Sequence, residues 1–220
     1  VFEKNENYDY YLFTNIDKNN FNTSWDIIEI NDTEFIDIKN LKNNVIKSRY
    51  FKFMGWKYIK DVMNKDYDVI FYCDATFYPK KEINWDNYSK LILKNKYGML
   101  QQLHHKRSTP YSECDLICKC AKDTEKNMTK MKEFLYEHEV PKDYLIYENT
   151  VFGYDFKNEK IKNAFSDFWK IYNNNNITYR DQPFWSYITW KYGIKPVLPP
   201  DIHYLFQYTP PKYNHGMYNT

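Results

Sequence analysis

In the stretch YDVIFYCDATFYP, residues 67–79, a run of strand-forming residues ends at Cys73 and an acid, Asp74, follows at once. Such a carboxylate either accepts backbone N–H bonds in a turn or holds a divalent cation or a sugar hydroxyl at the mouth of a cleft. Just upstream, Arg49 and Lys52 lie three apart in a helical pattern. On a solvated face they are ordinary helix charges. At a helix end beside the same cleft they would neutralise phosphate oxygens, Arg as a fork and Lys as a point charge.

Three later stretches carry the other chemical groups. QLHHKRSTPYSE gathers His104, His105, Lys106, Arg107 and Glu113 around a strand end and a helix start, where side chains converge on sites more readily than on an element's outer face. Adjacent residues of a strand point to opposite sides, so one histidine at most should face a cleft, and His104 is favoured. A core or surface role remains open to both. Glu148 lies between two short apolar runs. In RDQPFW, Asp181 is either a plain N-cap or a carboxylate that the helix start keeps ionised, ready to take a proton or bind a hydroxyl. Trp185, one turn on, offers a stacking face or a core side chain. His203, late in the chain, is a possible metal ligand.

The elements that would position these groups alternate in type. YDYYLFTN and WDIIEIN read as strands. Phe51, Met54, Tyr58 and Val62 keep helical spacing between Lys47 and Asn64 and lead into the strand 67–74. A short helix follows over Tyr88, Leu91 and Ile92, then a strand at YGMLQQLHH and a helix opened by Thr109 as cap and Pro110 as first residue. MTKMKEFLYEH and EKIKNAFSDFWKIY are amphipathic helices. YLIYENTVFGYDF, between them, reads as one or two short strands. RDQPFWSYITWKYG is a helix stopped by Gly193, ahead of a Pro/Tyr/Asn-rich tail. Strands separated by helices imply a single open α/β sheet with helices on both faces, and ligands bind beyond the carboxyl ends of such strands.

Composition narrows the classes. With 31 basic and 29 acidic residues among 220, the net charge of +2 is too balanced for a chain that wraps nucleic acid. Aromatic residues reach 20%, which suits stacking on sugar rings or bases but also accompanies the Asn, Lys and Ile surplus of an AT-rich coding sequence. No apolar run of membrane-spanning length and no signal-peptide pattern is visible. The expectation is a soluble, cytoplasmic domain, alone or within a longer protein. Cys73, Cys114, Cys118 and Cys120 lack paired C-x2-C spacing and read as reduced thiols. With five Gly and neither a G-x-G-x-x-G nor a Walker-type run, a backbone phosphate cradle is hard to build.

Taken in order, RYFK, YDVIFYCDATFYP, LHHKRSTPYSE, YENTVFGYD and YRDQPFWSYITWKYG, across roughly residues 47–193, resemble glycosyltransferases of the GT-A fold. The likeness is narrower to the glycosyltransferase-like family of plants and bacteria and to capsid-glycan transferases of large DNA viruses. It implies one catalytic domain over 1–220, with a nucleotide-binding half about 1–104, an acceptor half about 105–205 and a tail 206–220, on a GT-A-like, Rossmann-like open mixed sheet. It implies a nucleotide-diphosphate sugar, of the UDP type, donating a hexosyl or deoxyhexosyl group to a glycan or glycoconjugate. Thr14, Asn15, Arg49, Lys52 and Asp74 would then hold the donor, His104, Arg107 and Glu113 the sugar or acceptor, and Gln182 and Trp185 the neighbouring wall. Asp181, then Glu148, would take the acceptor proton if the anomeric centre is inverted; if it is retained, the same carboxylate would stabilise an oxocarbenium-like centre, and the sequence does not choose between the two. Mn2+ or Mg2+ would sit at Asp74 with His203, although Asp74-Ala75-Thr76 lacks the second acid of a D-x-D motif. A non-catalytic glycan- or nucleotide-binding module on the same fold is the competing reading.

Overall fold

The computed structural model describes residues 2–30, 41, 43–81, 83–199 and 206–208. Along the chain run β1 (Tyr11–Thr14), β2 (Asp26–Glu29), α1 (Asn44–Asp61), β3 (Val69–Cys73), β4 (Phe77–Pro79), α2 (Trp85–Lys94) and β5 (Met99–Leu103). They are followed by α3 (Pro110–Lys119), α4 (Glu125–Glu137), β6 (Tyr147–Asp155), α5 (Glu159–Asn174), α6 (Asp181–Lys191) and β7 (Phe206–Tyr208). The fold is mixed α/β.

Helix ends fall where the sequence supplies caps. Asn43 accepts the Ile46 N–H (3.0 Å) at the start of α1, and Asn158 does the same for Ile161 (3.2 Å) at the start of α5. Thr109 and Ser112 form a reciprocal capping box ahead of Pro110. Gly193 ends α6 at φ +57°, a left-handed conformation that costs Gly little. Ile161, Ala164, Phe165, Phe168 and Tyr172 make one buried stripe along α5, as its spacing requires.

The central sheet has the order β3-β6-β5, with β6 antiparallel to both neighbours. β3 and β5 therefore point the same way, and their carboxyl ends meet the amino end of β6 at one edge. Met99, Phe152 and Tyr154 face a large apolar cluster built with all the helices except α2. Leu100 and Val151 face the other way, toward Trp85 and Ile92 of α2 and Phe206 of β7. Helices thus cover both faces. Gly153 is seated against α2 so closely that a Cβ would lie 2.7 Å from the Ile92 Cδ1 and 2.8 Å from the Phe71 ring.

Three expectations change. Among the described residues the strands form three ladders, β1-β2, β3-β6-β5 and β4-β7, where one sheet was expected. The parallel pair β1-β2 joins the rest through side chains: Phe13 stacks on Phe51 of α1, ring centres 4.9 Å apart, and the Tyr11 and Tyr67 hydroxyls lie 3.0 Å apart. The stretch around Glu148 is one nine-residue strand, β6, buried over most of its length. Phe206–Tyr208, assigned to a tail, pairs with β4 as β7.

Candidate functional site at the sheet edge

Asp74 closes β3 and opens a turn. Its N–H reaches the Thr150 carbonyl (2.8 Å) as the last ladder bond, and its carbonyl accepts from Phe77 (2.8 Å). The backbone thus follows the turn reading, while the side chain goes elsewhere. Oδ1 accepts the Tyr72 hydroxyl at 2.7 Å and lies 3.2 Å from the Lys52 ammonium. The same ammonium is 3.2 Å from Asp181 Oδ2, and Arg49 Nε is 3.4 Å from that oxygen. One lysine, 3% exposed at its side chain, therefore ties the end of β3 to the start of α6.

Asp181 is the first residue of α6; Arg180 holds the cap position, and no side chain caps the helix. The plain N-cap reading of Asp181 is thereby replaced by a buried ion pair. Burial alone would push the carboxyl up, but Arg49, then Lys52 and Arg180, outweigh it and hold Asp181 well below the usual carboxylate range. In return, Asp181 raises the Arg49 guanidinium against the opposing effect of burial. Burial, reinforced by Asp74, raises the Tyr72 hydroxyl, which stays protonated and donates.

A second group forms along the same edge. β5 ends at Leu103, so His104 and His105 do not alternate as strand residues; their rings stack at 5.3 Å and 11°. This corrects the expectation that only His104 would face a cleft. His105 Nδ1 lies 3.3 Å from Glu148 Oε2, and the donor atoms of His104, His105 and Glu148 all fall within 4.8 Å of one another. Arg107 contacts His104 Nε2 and lies 2.8 Å, through Nε, from Glu113 Oε2. Burial raises the Glu113 carboxyl, with Arg107 opposing. His104, His105 and Arg107 line an open depression of about 400 Å³ between the β5 end and Leu145-Ile146.

Glu148 is aimed by an irregularity in the ladder. Between Gln101 and Leu103 the β6 partner jumps from Phe152 to Tyr147, leaving 148–151 bulged, and bulges re-aim side chains. Gln101, fully buried, clamps the bulge: Nε2 donates to the Glu148 carbonyl (2.9 Å) and Asn149 Oδ1 (2.8 Å), while Oε1 accepts from Trp185 Nε1 (3.0 Å). Sequence reasoning missed Gln101, because a Gln in an apolar strand carries no signal until its partners are known. Trp185 is 1% exposed and packs on Phe165. Of the two roles open to it, stacking face or core side chain, it takes the second.

Compared with family models, with curated proteins and with solved structures, the chain has no match in any of the three.

Of the remaining residues named from sequence, Gln182 donates through Nε2 to the Tyr147 carbonyl (3.1 Å) and braces the start of β6. Thr14 ends β1, where its hydroxyl takes the Ile16 N–H (3.1 Å) in a local turn, and Asn15 follows it on the surface. His203 lies outside the described residues. Asp74 offers a divalent cation little: its Oδ1 already takes an ammonium and a hydroxyl, and the turn 74–77 brings no second carboxylate. Among the described residues, no helix is long and apolar enough to cross a membrane.

Proposed function

We propose that this chain is a glycosyltransferase that moves a sugar from a nucleotide-diphosphate donor, a UDP-sugar, to a hydroxyl of a glycan or glycoconjugate. The reading takes the three ladders as parts of one GT-A-like architecture. The observation that supports it is the convergence at one sheet edge of three cations, Arg49, Lys52 and Arg107, with four acids, Asp74, Asp181, Glu148 and Glu113.

The acceptor oxygen attacks the anomeric carbon, the bond to the diphosphate breaks, and the acceptor proton leaves to a base. Arg49 and Lys52 offset the charge that collects on the diphosphate. Asp181 is a weak base because those cations hold it ionised; its part is to orient them. Glu148, paired with His105, which lines the open depression and is charged only when protonated, is the better proton acceptor, since Asp181 faces the fixed charges of Arg49 and Lys52. The order expected from sequence, Asp181 before Glu148, is reversed on that ground.

The same pairing favours a second reading. With Lys52 and Arg49 already neutralised by Asp74 and Asp181, the edge also suits a module that binds a glycan or nucleotide without turnover. Release of nucleotide diphosphate from UDP- and GDP-sugars separates the two. A transferase leaks product slowly without acceptor, and Arg49→Gln with Lys52→Met abolishes the leak; a melting shift with no release from any donor selects the binding module. Neither shift nor release sinks both.

A further inference from the structure

We infer that His104, His105 and Glu148 form a site for one divalent transition-metal ion, Zn2+ by ligand type. Two imidazoles are borderline donors that suit Zn2+ better than Mg2+ or Ca2+, and a carboxylate oxygen completes common zinc sets. The 3.3 Å between His105 Nδ1 and Glu148 Oε2 matches a tetrahedral edge, about 3.3 Å when bonds to zinc are about 2.0–2.1 Å. With all three donors inside 4.8 Å, rotation of His104 closes the triangle.

The backbone prepares this set. The end of β5 at Leu103 puts both rings on one side, and the Gln101 clamp fixes the bulge that carries Glu148. Three protein ligands leave a fourth position open to water or a substrate oxygen, and the depression lined by both histidines gives access. A neutral imidazole offers one lone pair, yet His104 meets two donors, the Lys106 N–H at Nδ1 (3.1 Å) and Arg107 at Nε2. A metal ion would take that lone pair, while Arg107 stays held by Glu113. The inference does not need turnover of a nucleotide sugar; in a zinc-loaded transferase Glu148 would be a ligand, and the acceptor proton would pass to water at the open fourth position instead.

Zinc uptake by the full chain, read by competition with a chromophoric chelator, tests it. One ion per chain is expected, weakened about tenfold or more by His105→Ala and by Glu148→Gln, and unchanged in Cys118→Ser/Cys120→Ser. His105 is 52% exposed at its side chain, so its variant keeps the fold. Cobalt in place of zinc should give a spectrum without thiolate charge transfer. Absence of uptake, uptake that survives both ligand variants, or loss in the cysteine variant overturns the assignment.

Discussion

Two charged groups share one edge of the sheet and are built in opposite ways. Around Asp181 the buried charges are paired: Arg49 and Lys52 face Asp181 and Asp74, and Lys52 is almost wholly enclosed. Around Glu148 the charges are arranged by backbone, on a bulge and just past a strand end, and His105 stands half in solvent. The first group is fixed by electrostatics, so removal of a member leaves a buried charge behind. The second is fixed by the strand end, the bulge and the Gln101 clamp, so its exposed member, His105, can change with little structural consequence. A group held in that second way is the one free to exchange ligands.

The largest break in this contrast should come from Asp181→Asn, which leaves Arg49 and Lys52 facing a neutral amide and should cost about 3–5 kcal/mol in urea unfolding. A loss under about 1 kcal/mol would mean that the cluster is solvated, as exposed pairs are. Next, Gln101→Leu strands the Trp185 N–H and the Glu148 carbonyl and should cost about 1–3 kcal/mol. It should also weaken the zinc uptake proposed above, whereas Asp181→Asn should leave uptake in place.

Acid sharpens the same contrast. Asp181 has a folded-state pKa below its unfolded value, so its stabilisation is complete above the unfolded value and fades as pH falls through the folded one. Between about pH 5 and about pH 2 the wild type should therefore lose stability faster than Asp181→Asn. Parallel urea midpoints over that range would refute the pairing. The smallest effect should be that of His105→Ala, within about 0.5 kcal/mol of wild type by thermal melting.

Periodic stretches were legible in the sequence. The stripe Ile161 to Tyr172 and the Thr109-Pro110 start need only local chemistry, and both appear as read. That Asp74 and Asp181 would meet followed from a strand end and a helix start sharing an edge; Arg49 and Lys52 were expected at a helix end but join them from the second and third turns of α1, and the depth of Lys52, between Phe51 and Phe53, gave no sign. The pairing of His105 with Glu148 was hidden because it depends on where β5 stops, and strand alternation was carried two residues too far. Whether β6 is one strand or two was left open because Glu148, Asn149 and Thr150 interrupt its apolar pattern; the Glu148 carbonyl and the Asn149 side chain are taken up by Gln101. The separation into ladders rests on long-range pairing, which no local pattern encodes.

The bulge at 148–151 makes the interior a custodian of the rim. Sliding β6 by a single position past β5 would turn Phe152 and Tyr154 out of the apolar cluster, bring a side chain to the spot that only Gly153 tolerates beside α2, and carry Glu148 away from the histidines. Any pressure that merely keeps the protein folded therefore also preserves the spacing of its reactive groups, and the loops beyond the edge are left free to diversify.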